Sequence, residues 1–405
     1  MFLTHRFVAA FVARTATLPI LAGIAVAALV PIKPAEAQRF NPNTAAPSLG
    51  AFPQTAGTYT FNTTGVTYWT PPSGSNPGMI QTVPYVIGPN GYFAWGTVKN
   101  GCALFNFDVI AVSASQHLVG TGGKPLVLLS KSTVLVYSGG TISVAGGAGT
   151  STIAMSDGPF ASSGGAGGAG AGNGGDGYKY TTGGPNTNPT AGGNTGGSGA
   201  GTITSSGAGF YGVGGAGSYS STGGPSYGTA PSVSLMGGSG AGGTMFAGGG
   251  GGGGALEISA VQGIYIYDGG ASAPPAISAA GGRGNTGHSY LNVYSVSGGG
   301  SGGTIYLTAP AVYAYNVTNN TFNVRGGGAD WYYYQNYVGV DSYYGGPGAG
   351  GRMRVEYTNA PFSSSTTHPW VASGTLSPIP FGQTAPTTGV SNGELVIAPL
   401  TPYTP

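Results

Sequence analysis

The segment Gly253-Gly254-Ala255-Leu256-Glu257-Ile258-Ser259-Ala260 returns as Gly302-Gly303-Thr304-Ile305-Tyr306-Leu307-Thr308-Ala309. It returns again as Gly350-Gly351-Arg352-Met353-Arg354-Val355-Glu356-Tyr357. Each copy is a glycine run that breaks into a short strand with apolar residues at alternate positions. Leu256 lies 49 positions before Ile305, and Ile305 lies 48 before Met353. A strand at the same phase of so regular a period marks stacked units that share one core.

Outward from these copies, the pattern resolves into three short strands per unit. Leu256 to Ile258, Ile264 to Ile266 and Ile277 to Ala279 end in Gly281-Gly282, and Ile305 to Leu307, Val312 to Tyr315 and Phe322 to Val324 end in Gly326-Gly327-Gly328. An earlier set, Val127 to Leu129, Val134 to Val136 and Ile142 to Val144, ends in Gly146-Gly147, and Phe105 to Phe107 and Val109 to Ala111 precede it. Stacking such circuits pairs the backbone groups while alternate Val, Ile and Leu point inward. Asn319-Asn320 and Asp268-Gly269-Gly270 supply corner residues that tolerate left-handed backbone. A helical reading fails: no apolar stripe of period 3.6 follows the first residues, and glycine costs about 1 kcal/mol at each helical position. The expected fold is therefore all-β, a right-handed parallel β-helix, with a β-sandwich as the alternative.

The run Phe107 to Ala111, Lys124 to Leu129, Val134 to Val136 and Thr141 to Gly147 resembles the opening coils of exported, glycine-rich bacterial parallel β-helix proteins. The later Gly-Gly-x-Ile-x-Leu and Gly-Ala-Gly-Gly-Arg-x-Arg-Val units are similar to the same group, over residues 105 to 357. Such proteins resemble adhesin passengers and surface-matrix proteins. The resemblance implies no catalytic residue for this chain.

His5, Arg6 and Arg14, the apolar stretch Leu18 to Val30 and the small residues Ala35-Glu36-Ala37 are ordered as a secretory signal peptide, residues 1–37. The apolar stretch holds Pro19 and stops at Pro31, short of the about 20 residues of a membrane span. The expected mature chain starts near Gln38 and is secreted, extracellular or at the cell surface, with no integral membrane span after cleavage. Of 12 basic and 10 acidic residues, Arg6, Arg14, Lys33 and Glu36 leave with the leader, so nine of each remain. A formally neutral chain has no field to gather nucleic acid, and its low charge leaves little to oppose self-association.

The remaining organisation is read as an extended leader and small N-terminal β cap over 38–100, the glycine-rich stack over 101–357 and a proline-rich tail over 358–405. In the cap, Tyr59-Thr60-Phe61 and Val66-Thr67-Tyr68-Trp69 read as two strands joined by a turn at Asn62 to Gly65. Although 82 glycines and 29 prolines suggest a disordered polymer, 40% of the chain is hydrophobic and 25 residues are tyrosine, enough for a core. The longest glycine-rich excursion, 146–254, has two readings: a flexible loop, or extended glycine strands packed on one another. Cys102 stands alone beside Ala103, Leu104 and Phe105, which excludes an internal disulfide and suits a small buried residue.

Little in the chain carries chemistry. Polysaccharide lyases and hydrolases on this scaffold need paired carboxylates or a calcium-bound acidic cluster, yet the nine acidic residues after the leader are scattered. Glu257 and Arg354 share a phase with Glu356 two residues on, which on an outward face makes a surface ion pair or solvated edge. His117, His288 and His368 lack metal-ligand spacing, and the Asp176 and Asp330 glycine turns do not repeat as calcium turns do. No catalytic, metal or cofactor residue is assigned.

The densest unusual segment holds Trp331, Tyr332, Tyr333, Tyr334, Tyr337, Tyr343 and Tyr344, seven aromatic residues in fourteen. Rings with polar tips anchor subunit contacts and stack on sugars, or shield neighbouring glycine loops. The expected function is a secreted, non-enzymatic structural protein of the cell surface or matrix that self-associates into fibres. A glycan-binding adhesin is the alternative, and a polysaccharide lyase or hydrolase the next.

Overall fold

In the computed structural model four successive circuits of the chain each lay one strand in each of three parallel sheets, in the same order every time. The residues described are 39–70, 79–154, 161–180, 186–193, 206–210, 213–217, 222–227, 235–268, 273–289, 294–315, 321–328, 331–336, 339–358 and 394–400. The expected signal peptide, residues 1–37, lies outside them, as does the tail apart from Thr358 and 394–400.

Four strands come first: β1 (Gly57–Thr70), β2 (Met79–Ile87), β3 (Phe93–Trp95) and β4 (Thr97–Lys99). The first circuit is β5 (Cys102–Phe107), β6 (Ile110–Val112) and β7 (Gln116–Thr121), and the second is β8 (Leu126–Ser130), β9 (Thr133–Val136) and β10 (Thr141–Ser143). After β11 (Ile153–Ala154) the third runs through β12 (Ala255–Ala260), β13 (Gly263–Tyr267) and β14 (Ile277–Ser278). Beyond β15 (Thr286–Ser289) and β16 (Tyr294–Val296), the fourth is β17 (Thr304–Thr308), β18 (Ala311–Tyr315) and β19 (Phe322–Asn323). The aromatic hairpin β20 (Trp331–Asn336) and β21 (Gly339–Tyr344) leads to β22 (Arg352–Tyr357) and β23 (Glu394–Pro399).

The repeat read from sequence is the register. Leu126, Leu256, Ile305, Met353 and Leu395 are successive partners across β8–β12–β17–β22–β23. A second column, Ile110–Val134–Ile264–Val312, crosses β6–β9–β13–β18, and Leu118–Ile142–Ile277–Phe322 crosses β7–β10–β14–β19. All three columns point into one core, where, among the described members, each side chain is essentially inaccessible. Each buried aliphatic or aromatic side chain contributes roughly 1.5–3 kcal/mol.

Two expectations change. Residues 57–70 form one strand rather than two joined by a turn: β1 runs through an irregularity between Asn62 and Val66, where the Gly65 amide donates to Asn62 Oδ1 at 3.0 Å and Gly65 takes φ +84°. Its first half pairs parallel with β7 and its length pairs antiparallel with β2, so the sheet continues past the irregularity. The third strand of the first circuit, β7, was not expected at all.

The outer face of the β5–β8–β12–β17–β22 sheet is also covered. Phe40 packs with Cys102, Leu104, Val127 and Leu129, with Ala45, Ala46 and Leu235 against them. The leader then follows the exposed edge of the first circuit: Leu49 N–H donates to Asn106 O, Asp108 N–H to Gly50 O and Phe52 N–H to Val109 O. A parallel strand covered on both sides reads as a continuous buried run, as β5, β8, β12 and β17 do.

The described parts of 146–254 are hydrogen-bonded into the fold. Amide to carbonyl, Gly251 bonds Gly147, Gly282 bonds Gly251, Gly300 bonds Gly282, Gly327 bonds Gly300 and Gly348 bonds Gly327, at 2.6 to 3.0 Å. Side chains would prevent this approach: a Cβ on Gly282 would overlap the Gly147 carbonyl oxygen, and one on Gly327 that of Gly282. Of the two readings of the excursion, the described segments follow the packed one.

Candidate functional site: a tyrosine ladder and a covered polar cluster

Alternation on the β9–β13–β18 sheet sends Val134, Val136, Ile264, Ile266 and Val312 inward and the residues between them outward. Tyr265 faces Tyr313, and Tyr267 faces Tyr315, in parallel register. Tyr137, just beyond β9, completes a column. The rings stack: Tyr137 on Tyr267 at 6.1 Å between centroids, Tyr267 on Tyr315 at 4.8 Å and Tyr265 on Tyr313 at 5.5 Å, all within 10° of parallel. Tyr313 and Tyr315 lie 6.2 Å apart along β18, joining the two columns. The spacing follows from strand separation, about 4.8 Å, once equivalent positions carry the same flat side chain.

The column ends are open to solvent, with Tyr137 45% and Tyr315 41% exposed. Desolvation first, then the neighbouring phenols of Tyr267, Tyr313 and Tyr265, raise the Tyr315 hydroxyl above its ordinary value. The surface is aromatic and is edged by phenol hydroxyls. These tyrosines were missing from the sequence-based site, although Tyr265 and Tyr313, like Tyr267 and Tyr315, are 48 positions apart.

The aromatic segment singled out from sequence forms the antiparallel hairpin β20–β21, with Trp331 opposite Tyr344, Tyr332 opposite Tyr343, Tyr333 opposite Ser342 and Tyr334 opposite Asp341. Tyr344 is half-buried. Tyr337 lies outside the described residues.

The charged residues at the repeat's common phase also come together, but under cover. Glu257, Tyr306 and Arg354 are cross-strand neighbours, as are Ser259, Thr308 and Glu356 in the next row. Arg354 binds Glu356 at 2.6 Å, Arg39 of the leader reaches the same carboxylate at 3.2 Å, and the Arg354 guanidinium lies 5.8 Å from the Tyr306 ring centre. Glu257 is fully buried, its Oε1 accepting from the Phe40 amide at 3.1 Å and from Ser259 Oγ at 2.7 Å. The expectation of a surface pair or solvated edge is thus corrected, because the leader closes over this face.

Burial dominates the chemistry of the cluster. It pushes the Glu257 carboxyl up to about 8 against the opposing pull of Phe40, Ser259 and Arg39, with Glu356 adding to the rise. It likewise raises the Tyr306 phenol, with Glu356 and Glu257 adding to the effect, and pushes the Cys102 thiol up to about 12. Shielded groups with these partners brace the sheet and offer no open face to a substrate.

Elsewhere, His117 Nδ1 shares a hydrogen bond with Thr141 Oγ1 at 2.9 Å, and His288 packs against Tyr294. Asp176 Oδ1 accepts from the Gly164 amide at 2.8 Å, so it fastens one glycine segment to another. His368 and Asp330 lie outside the described residues. Among the described residues no group of three His, Cys, Asp or Glu is placed to hold a metal ion, and no helix is long and apolar enough to cross a membrane. No protein-family model, curated protein or solved structure matches the chain.

Proposed function

We propose that this chain is a secreted, non-enzymatic structural protein of the cell surface or extracellular matrix, a right-handed parallel β-helix with glycine-rich excursions that associates with copies of itself. The observation that carries this reading is the outward tyrosine ladder of Tyr137, Tyr267 and Tyr315 with Tyr265 and Tyr313. The inward core does not need it, and large exposed aromatic faces favour protein contact. Circuits in constant register make a stiff support, and β1 to β4, running antiparallel at one end, serve as its cap. A formally neutral mature chain adds little repulsion between copies.

Negative-stain electron microscopy and sedimentation of Gln38–Pro405 across a concentration series test this. Filaments or concentration-dependent oligomers are expected, dispersed by the combined change of Tyr137, Tyr267 and Tyr315 to serine. A monodisperse monomer over a wide concentration range would sink the reading.

The second reading is a glycan-binding adhesin. Exposed aromatic residues support it at Phe93 and Trp95, which are 47% and 45% exposed, and the aromatic sequence of the β20–β21 hairpin adds to it. A glycan array probed with the mature chain tests it, and the absence of any bound glycan counts against it.

A further inference from the structure

The tyrosine ladder joins five phenols in one unbroken series of ring contacts on an outward face. From Tyr137 the series runs to Tyr267 at 6.1 Å, Tyr315 at 4.8 Å, Tyr313 at 6.2 Å and Tyr265 at 5.5 Å, each ring centre to the next. Tyr137 and Tyr315 are 45% and 41% exposed, whereas Tyr265, Tyr267 and Tyr313 are partly covered. An oxidant in solution therefore reaches the series at Tyr137 and Tyr315. A radical formed there passes between neighbouring rings without loss of driving force, because donor and acceptor are the same group.

Of these contacts the shortest is Tyr267 to Tyr315. The two are register partners on β13 and β18, with planes 8° from parallel. Rings joined by a direct carbon–carbon bond have their centres only slightly closer than these. The paired strands hold both backbones in place, so a reaction between the two has the advantage of a preset encounter. The rings must turn from face to face to edge to edge, and the solvent side of the sheet, where Tyr315 is exposed, leaves room for the turn. Tyr59 and Tyr92 also touch, at 5.8 Å, but Tyr59 is wholly buried and its hydroxyl donates to the Thr55 carbonyl at 2.9 Å. A thiol would repair a tyrosyl radical, yet the chain's single cysteine, Cys102, is 4% exposed and lies on a different sheet with Phe40 packed over it.

We propose that Tyr267 and Tyr315 are a site of oxidative cross-linking, joined by hydrogen peroxide and a haem peroxidase into a dityrosine that rivets the third circuit to the fourth. Each phenol gives up one electron and its hydroxyl proton. The two phenoxyl radicals couple at ring carbons ortho to oxygen, forming one carbon–carbon bond. The hydrogens on those two carbons then move to the oxygens and restore both phenols. In the balance two ring C–H bonds are broken, and two electrons and two protons reduce one peroxide to two waters. The bond spans 48 positions of sequence, so it restricts the unfolded chain and stabilises the stack. It lies within one chain and does not depend on association between copies.

The test treats the mature chain with hydrogen peroxide and a haem peroxidase, then reads dityrosine fluorescence and maps cross-linked peptides in the monomer band of a denaturing gel. Expected is a Tyr267–Tyr315 peptide that carries most of the dityrosine, in a chain that melts higher than the untreated one. Tyr267→Phe and Tyr315→Phe keep the ring and lose the phenol, so each should abolish that peptide and lower the fluorescence at least about fivefold. Tyr92→Phe should change neither. Unfolding the chain before oxidation should remove the preference for the pair. Dityrosine spread evenly over the tyrosines, or confined to Tyr332 and Tyr343 across the β20–β21 hairpin, would overturn the proposal, as would none at all. Cross-links confined to bands of higher mass would overturn it too, while leaving self-association of copies intact.

Discussion

The Phe40 amide donates to Oε1 of Glu257 across 217 positions of sequence, tying the first described turn of the leader to the middle strand of the stack. The other carboxyl oxygen, Oε2, is buried without a partner, so ionisation would place charge on an oxygen that nothing solvates. The folded carboxyl accordingly holds its proton to about 8, above the 4.5 of the free group. Because the folded state binds the proton more tightly, stability is greatest below about 4.5. It falls as pH rises between those values, and the loss is complete above about 8. Over that window Glu257 withdraws on the order of 3–5 kcal/mol. Chemical denaturation from pH 4 to 9 should show this decline, and Glu257→Gln should flatten it. An unchanged slope in the variant would place the titration elsewhere.

Phe40 also covers Cys102, whose thiol burial pushes up to about 12 and so keeps protonated. The wild-type thiol should be nearly inert to a thiol-specific reagent at pH 8. Phe40→Ala should cost about 3 kcal/mol and raise the labelling rate by tenfold or more by letting the leader lift. Equal labelling of the two forms would show that the leader does not guard this face.

How far the fold could be read from the chain depends on the range of the interaction concerned. The columns through Leu256, Ile305 and Met353 were legible because alternation and the repeat state the same register twice. Strand β7 was not, because Gln116, His117 and Gly120 interrupt the apolar pattern. Gln116 is buried on account of distant partners, donating through Nε2 to the carbonyls of Pro53 at 2.8 Å and Thr55 at 2.9 Å. The leader's docking was equally hidden, since Arg39 meets Glu356 across 317 positions. The outward tyrosines were present in the repeat, but the denser cluster from Trp331 to Tyr344 drew the reading away from them.

Tyr267 is sandwiched in its column between Tyr137 and Tyr315. Each aromatic pair is worth about 0.5–1.5 kcal/mol beyond its buried area. A double-mutant cycle on Tyr267→Ala and Tyr315→Ala should therefore return a coupling of about that size, with circular dichroism unchanged. A cycle on Tyr137→Ala and Tyr315→Ala, the two ends of the same column, should give a smaller coupling. Zero coupling for the first pair would mean that the rings do not stack in solution.

The glycine segments make the sharpest mutational contrast. A methyl group at Gly300 would run into the Gly251 carbonyl oxygen, a backbone atom that cannot step aside without breaking the hydrogen bonds along the row. At Gly123 the nearest atom to such a methyl is the Thr64 hydroxyl oxygen, at 3.8 Å. Gly123→Ala should be neutral to within about 0.5 kcal/mol, whereas Gly300→Ala should cost roughly 1–3 kcal/mol. It should also speed amide exchange at Gly282, Gly300 and Gly327, the consecutive members of that row. Exchange measured by mass spectrometry on both variants decides the matter. If Gly300→Ala were as stable and as protected as Gly123→Ala, the row would be a loose loop in solution and the packed reading of the excursion would fall with it.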